Sequence, residues 1–396
     1  MTAIPDTGLS RAAPAAWGAV GAMTLCVSAL IASEFLPVSL LTPIAADLGL
    51  SEGQAGQTIA ISGLFAVLTS LTVARATRGV DRRLVLSGFA LLLALSGLIV
   101  TFAPEAVTLM AGRALLGVAV GGFWSMSTAI VMRLLPEADV PRGLALLNAG
   151  NAVAATVAAP LGAFLGDLVG WRGAFFAVVP LALAALAWQW RALPSLPPRR
   201  RAAQPGPLRL LARPQVRLGM AAILMLFAGQ FALFTYLRPF LQHVAGWSVL
   251  QLSLGFLALG AAGIAGTWWI SRLLDRRLFS ILIAIPLVMA GLAAALIAFA
   301  DAPVAVAALL FAWGFFGTAA PVGWGTWLAR MMGEDAEAGG GLQVAVIQAA
   351  ITLGAALGGL VFDGIGWWGA FGLAGLMLLG SSGLAVLAWR HMELTT

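Results

Sequence analysis

A chain of 396 residues that is 61% hydrophobic and 10% charged departs far from the ~45–50% apolar and ~25% charged composition of a soluble domain, so it reads as an all-α polytopic membrane protein. The net charge of +6 is carried by 22 arginines with no lysine. These fall mainly in the connections between apolar stretches, which makes them topology signals and argues against a nucleic-acid partner. One cysteine, Cys26, and two histidines, His243 and His391, exclude an internal disulfide and a zinc cluster. Without lysine there is no phosphate-cradling Gly-rich loop of the ATP-binding kind, so ATP-driven transport within this chain is excluded. No metal or cofactor is expected.

The first apolar stretch, residues 17–38, is too long for a signal-peptide core and is followed by others like it, so it is expected to be retained as span 1. It carries Glu34 within Ser33-Glu34-Phe35-Leu36-Pro37. A carboxylate at membrane depth costs ~2.5–3.5 kcal/mol or more unless it is paired, hydrated or protonated. At ~1.5 Å of rise per residue, Glu34 stands about 25 Å along a helix that begins at Trp17, in the outer half of a ~30 Å hydrocarbon core. Two readings stand: a proton-binding carboxyl facing a polar cavity, or a glutamate that snorkels to the interface where the helix ends near Pro37.

Spans 2 to 6 are expected at 55–74, 84–102, 107–131, 143–165 and 174–190. Span 4 holds Arg113 near the outer side, where span 1 also places Glu34. A buried guanidinium needs a carboxylate or backbone carbonyls, and both Glu34 and the carbonyls of neighbouring helices are candidates. Span 4 also carries Phe123 and Trp124, and span 5 carries Asn148 and Asn151. Gly117, Gly121 and Gly122 have the small-residue spacing that lets helices approach closely, and Pro160 is expected to kink span 5.

Residues 191–217 are rich in proline, include Arg199-Arg200-Arg201 and have no apolar periodicity. They read as a linker between an N-terminal half, 1–190, and a C-terminal half, 218–396. Spans 7 to 12 follow at 218–237, 250–270, 278–299, 304–328, 342–361 and 368–388. Gln230, Phe231 and Phe234 lie on span 7, Trp324 and Trp327 on span 10 with Pro321, and Gln343 and Gln348 on span 11. Amides that donate and accept suit a neutral polar ligand, and rings suit a flat one. Equally, amides glue helices together and tryptophans fill helix interfaces.

Alternate connections, taken with the two tails, hold 19 of the 22 arginines, and only Arg113, Arg172 and Arg238 fall elsewhere. By the positive-inside rule both termini and the 191–217 linker are cytoplasmic, with 242–248 outside. Two internal matches support a repeat. Asp81-Arg82-Arg83-Leu84 after span 2 recurs as Asp275-Arg276-Arg277-Leu278 after span 8, and Gly170-Trp171-Arg172-Gly173-Ala174-Phe175 recurs as Gly366-Trp367-Trp368-Gly369-Ala370-Phe371. Like-oriented repeats of this kind close around a midplane site and rock to expose it alternately. A membrane-embedded enzyme would need a nucleophile with its base or a metal cluster in the spans. A channel would not need paired halves around a single buried acid.

The twelve-span layout, the arginine-rich loop after span 2, Arg113 in span 4 and Ala159-Pro160-Leu161-Gly162 in span 5 resemble the major facilitator superfamily and its drug:proton antiporter branch. Ser33 to Leu41, Gly121-Gly122-Phe123-Trp124, Phe227 to Ala232, Pro321-Val322-Gly323-Trp324 and Gln343 to Gln348 resemble the bacterial members that export purine ribonucleosides. The resemblance implies two pseudo-symmetric six-helix bundles in a bacterial inner membrane. It also implies a monomer that exports inosine or guanosine in exchange for inward protons. Glu34 and Arg113 would couple to protons. Phe123, Trp124, Asn148, Asn151, Gln230, Phe231, Phe234, Trp324, Trp327, Gln343 and Gln348 would line the substrate site. Sugar or multidrug efflux within the same superfamily is the alternative, because amides with one ring suit a sugar and rings alone suit a lipophilic drug. The chain departs from the family pattern in one place: Thr77 stands where the loop after span 2 usually has an aspartate, and Asp81 lies four residues later.

Overall fold

A computed structural model describes residues 16–198, 207–332 and 336–393. Its long helices, in chain order, are α1 (Trp17–Leu48), α2 (Glu52–Ala76), α3 (Arg82–Thr101), α4 (Ala106–Leu134), α5 (Val140–Phe176), α6 (Val178–Ala192), α7 (Pro214–Phe234), α8 (Val249–Ser271), α9 (Leu274–Ala298), α10 (Pro303–Met332), α11 (Ala336–Ile365) and α12 (Trp367–Glu393). A short helical turn, Leu237–Pro239, and a π-helical turn, Phe240–Val244, extend α7 outward. No strand occurs among the described residues. Only helices satisfy every backbone group within one apolar segment, which is why this composition folds this way. Phe102, Val107, Val304 and Leu376 are exposed on the outer faces, where lipid replaces water as the surrounding medium.

Among the described residues eleven stretches are long and apolar enough to cross a membrane, and one of them, Glu137–Ala192, runs for 56 residues. It turns at Gly170, whose φ of 75° breaks α5 before Trp171, and so holds two crossings. The repeat partner, Gly366, has φ 105° and separates α11 from α12. Both positions need a backbone conformation that side chains with a Cβ disfavour, so the same Gly-Trp pair marks the same turn in each half.

The helices form two hydrophobic cores. One draws on α1 to α6 together with Tyr236. The other draws on α7 to α12 together with Val38, Ile59, Ala60 and Ala159. The glycines act as expected: Gly117 and Gly121 of α4 lie against the backbone of Ser62 and Ala66 in α2, and Gly354 and Gly358 of α11 lie against Ala228 and Ala232 in α7. Where the halves meet, α2 packs on α11 and α5 on α8. Arg199-Arg200-Arg201, at the centre of the expected linker, lies outside the described residues.

The expectation that α1 ends near Pro37 is corrected. The helix continues through Pro37 and Pro43 to Leu48 and stops where Gly49 takes φ 63°. A proline inside a membrane helix is tolerated when another group satisfies the carbonyl it leaves without a partner.

Candidate functional site

The N–H that Pro37 lacks would have bonded to the carbonyl of Ser33. That oxygen accepts instead from Arg113 Nη1 at 2.7 Å. Arg113 is fully buried, and its remaining donors reach Thr58 O at 3.0 Å, Glu34 O at 3.3 Å and Ser62 Oγ at 3.2 Å. Of the two candidate partners, backbone carbonyls hold this cation; among the described residues no ion pair joins it to the Glu34 carboxylate. The same device recurs one step outward. Pro43 frees the carbonyl of Ser39, and Arg238 Nη1, from the turn after α7, donates to it. Two of the three arginines that the topology count leaves aside thus satisfy carbonyls released by the two prolines of α1. The third, Arg172, pairs with Asp47 and donates to Ala103 O at 2.8 Å.

Glu34 is 6% exposed, so its carboxyl is buried and does not snorkel. It lies within the field of Arg113, and the side chain of Gln348 approaches it from α11. Glu34 belongs to the first half and Gln348 to the second, so the carboxyl sits on the seam.

Phe35 extends that seam. Its ring stacks on Phe231 with centroids 6.0 Å apart and meets Phe234 edge-on at 6.3 Å. Phe231 and Phe234 lie 6.1 Å apart, and Phe234 continues to Phe256 of α8 at 6.4 Å. Gln230, half-buried beside this cluster, lies against Gly317 of α10, where an added Cβ would meet Nε2 at 3.0 Å. The Oε1 atoms of Gln230 and Gln348 are both buried with no hydrogen-bond partner among the described residues.

Other sequence candidates lie elsewhere. Phe123 is wholly enclosed in the first core. Trp324 and Trp327 are enclosed in the second, 5.4 Å apart, with Trp327 against Gly219 of α7. None of these three presents a ring face to an open cavity in this conformation. Trp124, Asn151 and Gln343 are half-buried, and Asn148 is exposed with its amide turned back onto Leu144 O at 3.0 Å. Glu34, Arg113, Gln348, Phe231 and Phe234 are therefore brought together with Gln230 beside them, and the rest are not. Sequence reasoning missed Phe35 and Phe256; only the position of Phe35 beside Glu34 pointed to it.

A ring of polar contacts ties the halves at the end that carries the α1–α2 connection. Asp363, at the C-terminal end of α11, accepts from Ser51 Oγ at 2.5 Å and Gly53 N at 2.9 Å, at the N-terminus of α2. A carboxylate there also meets the positive end of the helix dipole. His243 and Glu52 approach to 3.6 Å, and Gln57 Nε2 donates to Ala356 O at 3.3 Å. At the opposite end, Thr77, in place of the family's aspartate, accepts from Arg82 Nη1 through Oγ1 at 2.6 Å. Asp81 binds the start of the linker, accepting from Ser195 Oγ at 2.5 Å and Leu196 N at 2.9 Å. The Ser195 hydroxyl first, with the Leu196 and Arg83 amides, holds the Asp81 carboxyl below its ordinary range.

Comparison with known proteins agrees with this architecture. The chain is 54% identical over 378 residues, 94% of each chain, to a Pseudomonas aeruginosa protein named transcription regulatory protein OpdE. It is 43% identical over 363 residues, 92% of each, to the Escherichia coli purine ribonucleoside efflux pump NepI. Among solved structures, a bacterial homologue of the human lysosomal transporter Spinster, inward-facing and occupied, superposes with a TM-score of 0.76 at 16% identity, covering 96% of this chain and 98% of that one. The human organic anion transporter MFSD10 gives 0.67 at 20% identity, covering 94% and 100%. With the Major Facilitator Superfamily model matching residues 23–338, across both cores and the seam where Glu34 lies, this chain belongs to the Major Facilitator Superfamily.

Proposed function

We propose that this protein is a proton-coupled exporter of neutral purine ribonucleosides, such as inosine and guanosine, working by alternating access from the cytoplasm. The observation that carries the reading is the place of Glu34, a buried carboxyl on the seam, with Arg113 of one half and Gln348 of the other beside it. Ionised, the carboxyl accepts from the Gln348 amide and is attracted to Arg113; protonated, it loses that attraction and becomes a donor. One proton therefore changes the strength of a tie between the halves, which is what coupling a proton to their rocking requires.

The nearby groups suit a nucleoside. Phe35, Phe231 and Phe234 offer ring faces to a flat base, and the unpartnered Oε1 atoms of Gln230 and Gln348 offer acceptors to base N–H groups and ribose hydroxyls. The name of the E. coli relative supports the same substrate class. The partition of arginines supports cytoplasmic termini and linker in a bacterial inner membrane. With that orientation, Asp363, Arg238 and Glu52 close the outer end, and the site faces the cytoplasm. The halves divide at the 191–217 linker, and the transporting unit is one chain. A transcriptional effect of the kind named for the P. aeruginosa relative needs no nucleic-acid contact by a transporter, which alters the internal level of any solute a regulator senses.

The test is transport in everted membrane vesicles. Radiolabelled inosine should accumulate when the interior is acidified and leave when a protonophore collapses the gradient. Proton-driven movement of a sugar or a lipophilic drug with none of inosine would replace this reading with the alternative.

A further inference from the structure

The outer faces of the two halves each carry a groove between two helices. In the second half, a groove of about 420 Å³ between α9 and α12 is lined by Leu287, Ala290, Gly291, Phe371 and other apolar residues. In the first half, the groove between α3 and α6 measures about 680 Å³ and is lined by Leu84, Leu91, Leu183 and Trp190, but also by Ser87 and Arg191. It exists because Ser87 and Gly88 are small where α6 passes: a Cβ placed on Gly88 would meet no atom within 4 Å. Nearer the other end of α3, Val179 fills the space beside Gly97.

The polar atoms of the first groove are arranged as a headgroup site. Arg191 is exposed at its end and makes no ion pair or hydrogen bond among the described residues. Beside it, Arg83 donates to Trp190 O and lies 5.0 Å from the centroid of the Trp190 ring, with its Nε unpartnered. Ser87 contributes to the groove wall, but its hydroxyl is buried beneath it, with no partner among the described residues.

We infer that the α3–α6 groove binds one anionic phospholipid, its phosphate on Arg83 and Arg191 and an acyl chain along Leu84, Leu91 and Leu183. Charge complementarity selects the occupant. The groove opens on the bilayer at the arginine-rich end of the molecule, where a basic pocket between helices meets acidic headgroups. Apolar walls alone would take any acyl chain, whereas two cations at one end favour a phosphate without a compensating choline.

Native mass spectrometry of the purified full-length protein, titrated with phosphatidylglycerol or phosphatidylcholine, tests this. The wild type should hold phosphatidylglycerol in preference. Arg191→Gln, an exposed helix-end change, should weaken that binding about fivefold, the effect of one cation near a membrane surface. Gly88→Leu, where an added Cβ meets nothing within 4 Å, places its side chain in the groove and should abolish the preference, while Gly291→Leu, in the apolar groove where a Cβ also meets nothing, should leave it intact. Equal retention of both lipids by the wild type, or unchanged phosphatidylglycerol binding in Arg191→Gln and Gly88→Leu, would overturn the assignment.

Discussion

Glu34 and Arg113 are neighbours without being an ion pair, and that sets what each substitution should do. Arg113 satisfies carbonyls that Pro37 and the local geometry of α1 and α2 present to it, so its first task is to hold α1, α2 and α4 together. On the proposed mechanism Glu34 exchanges the coupling proton, since among the described residues no ion pair joins its carboxylate to that cation. Glu34→Gln keeps the shape and the contact with Gln348 while removing the titration. It is expected to retain substrate binding and exchange but to lose uphill accumulation driven by a pH gradient. Uphill transport at the wild-type rate would show that protons take another route. Arg113→Gln, by contrast, removes the guanidinium donor to the Ser33 carbonyl that Pro37 leaves without a helical partner, a loss of roughly 1–3 kcal/mol if that oxygen is left unsatisfied, and should lower the level of folded protein before it affects coupling.

At the scale of elements, two local devices give separable predictions. Gly170 and Gly366 adopt left-handed backbone at equivalent turns, so Gly170→Ala or Gly366→Ala should each destabilise the protein by about 1–2 kcal/mol. The two melting-temperature losses should be similar, and a loss at one site only would break the structural equivalence of the halves. Asp81 stitches the loop after α2 to the segment after α6, and its folded-state pKa is depressed, chiefly by the Ser195 hydroxyl. A depressed carboxyl contributes stability above its unfolded pKa, near 3.9, and that contribution is lost as the pH falls through the lower folded value. Wild type should therefore melt above Asp81→Asn at pH 7, and the gap should close as the solution is acidified below that range. A gap that does not change with pH would mean that Asp81 acts through shape and not charge.

For the whole molecule, the proposed mechanism makes the contacts that tie the halves at the α1–α2 end the ones that set which way the site opens. Asp363 makes charge-assisted bonds to the start of α2, and such bonds are worth about 1.5–3 kcal/mol, enough to shift an equilibrium between two states by roughly 10- to 100-fold. Thr352 lies in the seam against Gly63. In a Cys26→Ala background, a Thr352→Cys probe should react faster with an impermeant external thiol reagent when Asp363→Ala is added. An unchanged rate would mean that this contact does not hold the outer end closed. Orientation is checked in the same background by His243→Cys, which should label from outside in intact cells. Labelling only after lysis would reverse the topology and with it the direction of opening.

Much of this was legible in the chain itself, because bilayer thickness and backbone satisfaction leave little choice. Runs of about 20 apolar residues become helices, arginines mark one side, and a Gly-Trp pair repeated in both halves marks the same turn twice. The buried acid could be named for the same reason, since an ionisable group inside an apolar run is costly wherever the run folds. What the sequence did not carry is partnership across distance. Nothing local says that the carbonyls freed by Pro37 and Pro43 meet Arg113, 76 residues beyond Pro37, and Arg238, in the other half. Nor does local sequence say that α1 continues past both prolines because those arginines are there. The amides and rings were indistinguishable from core residues in the sequence. Packing alone enclosed Trp324, Trp327 and Phe123 and left Gln230, Gln348 and Phe35 on the seam, because burial is a property of which helix faces meet and not of the residues those faces carry.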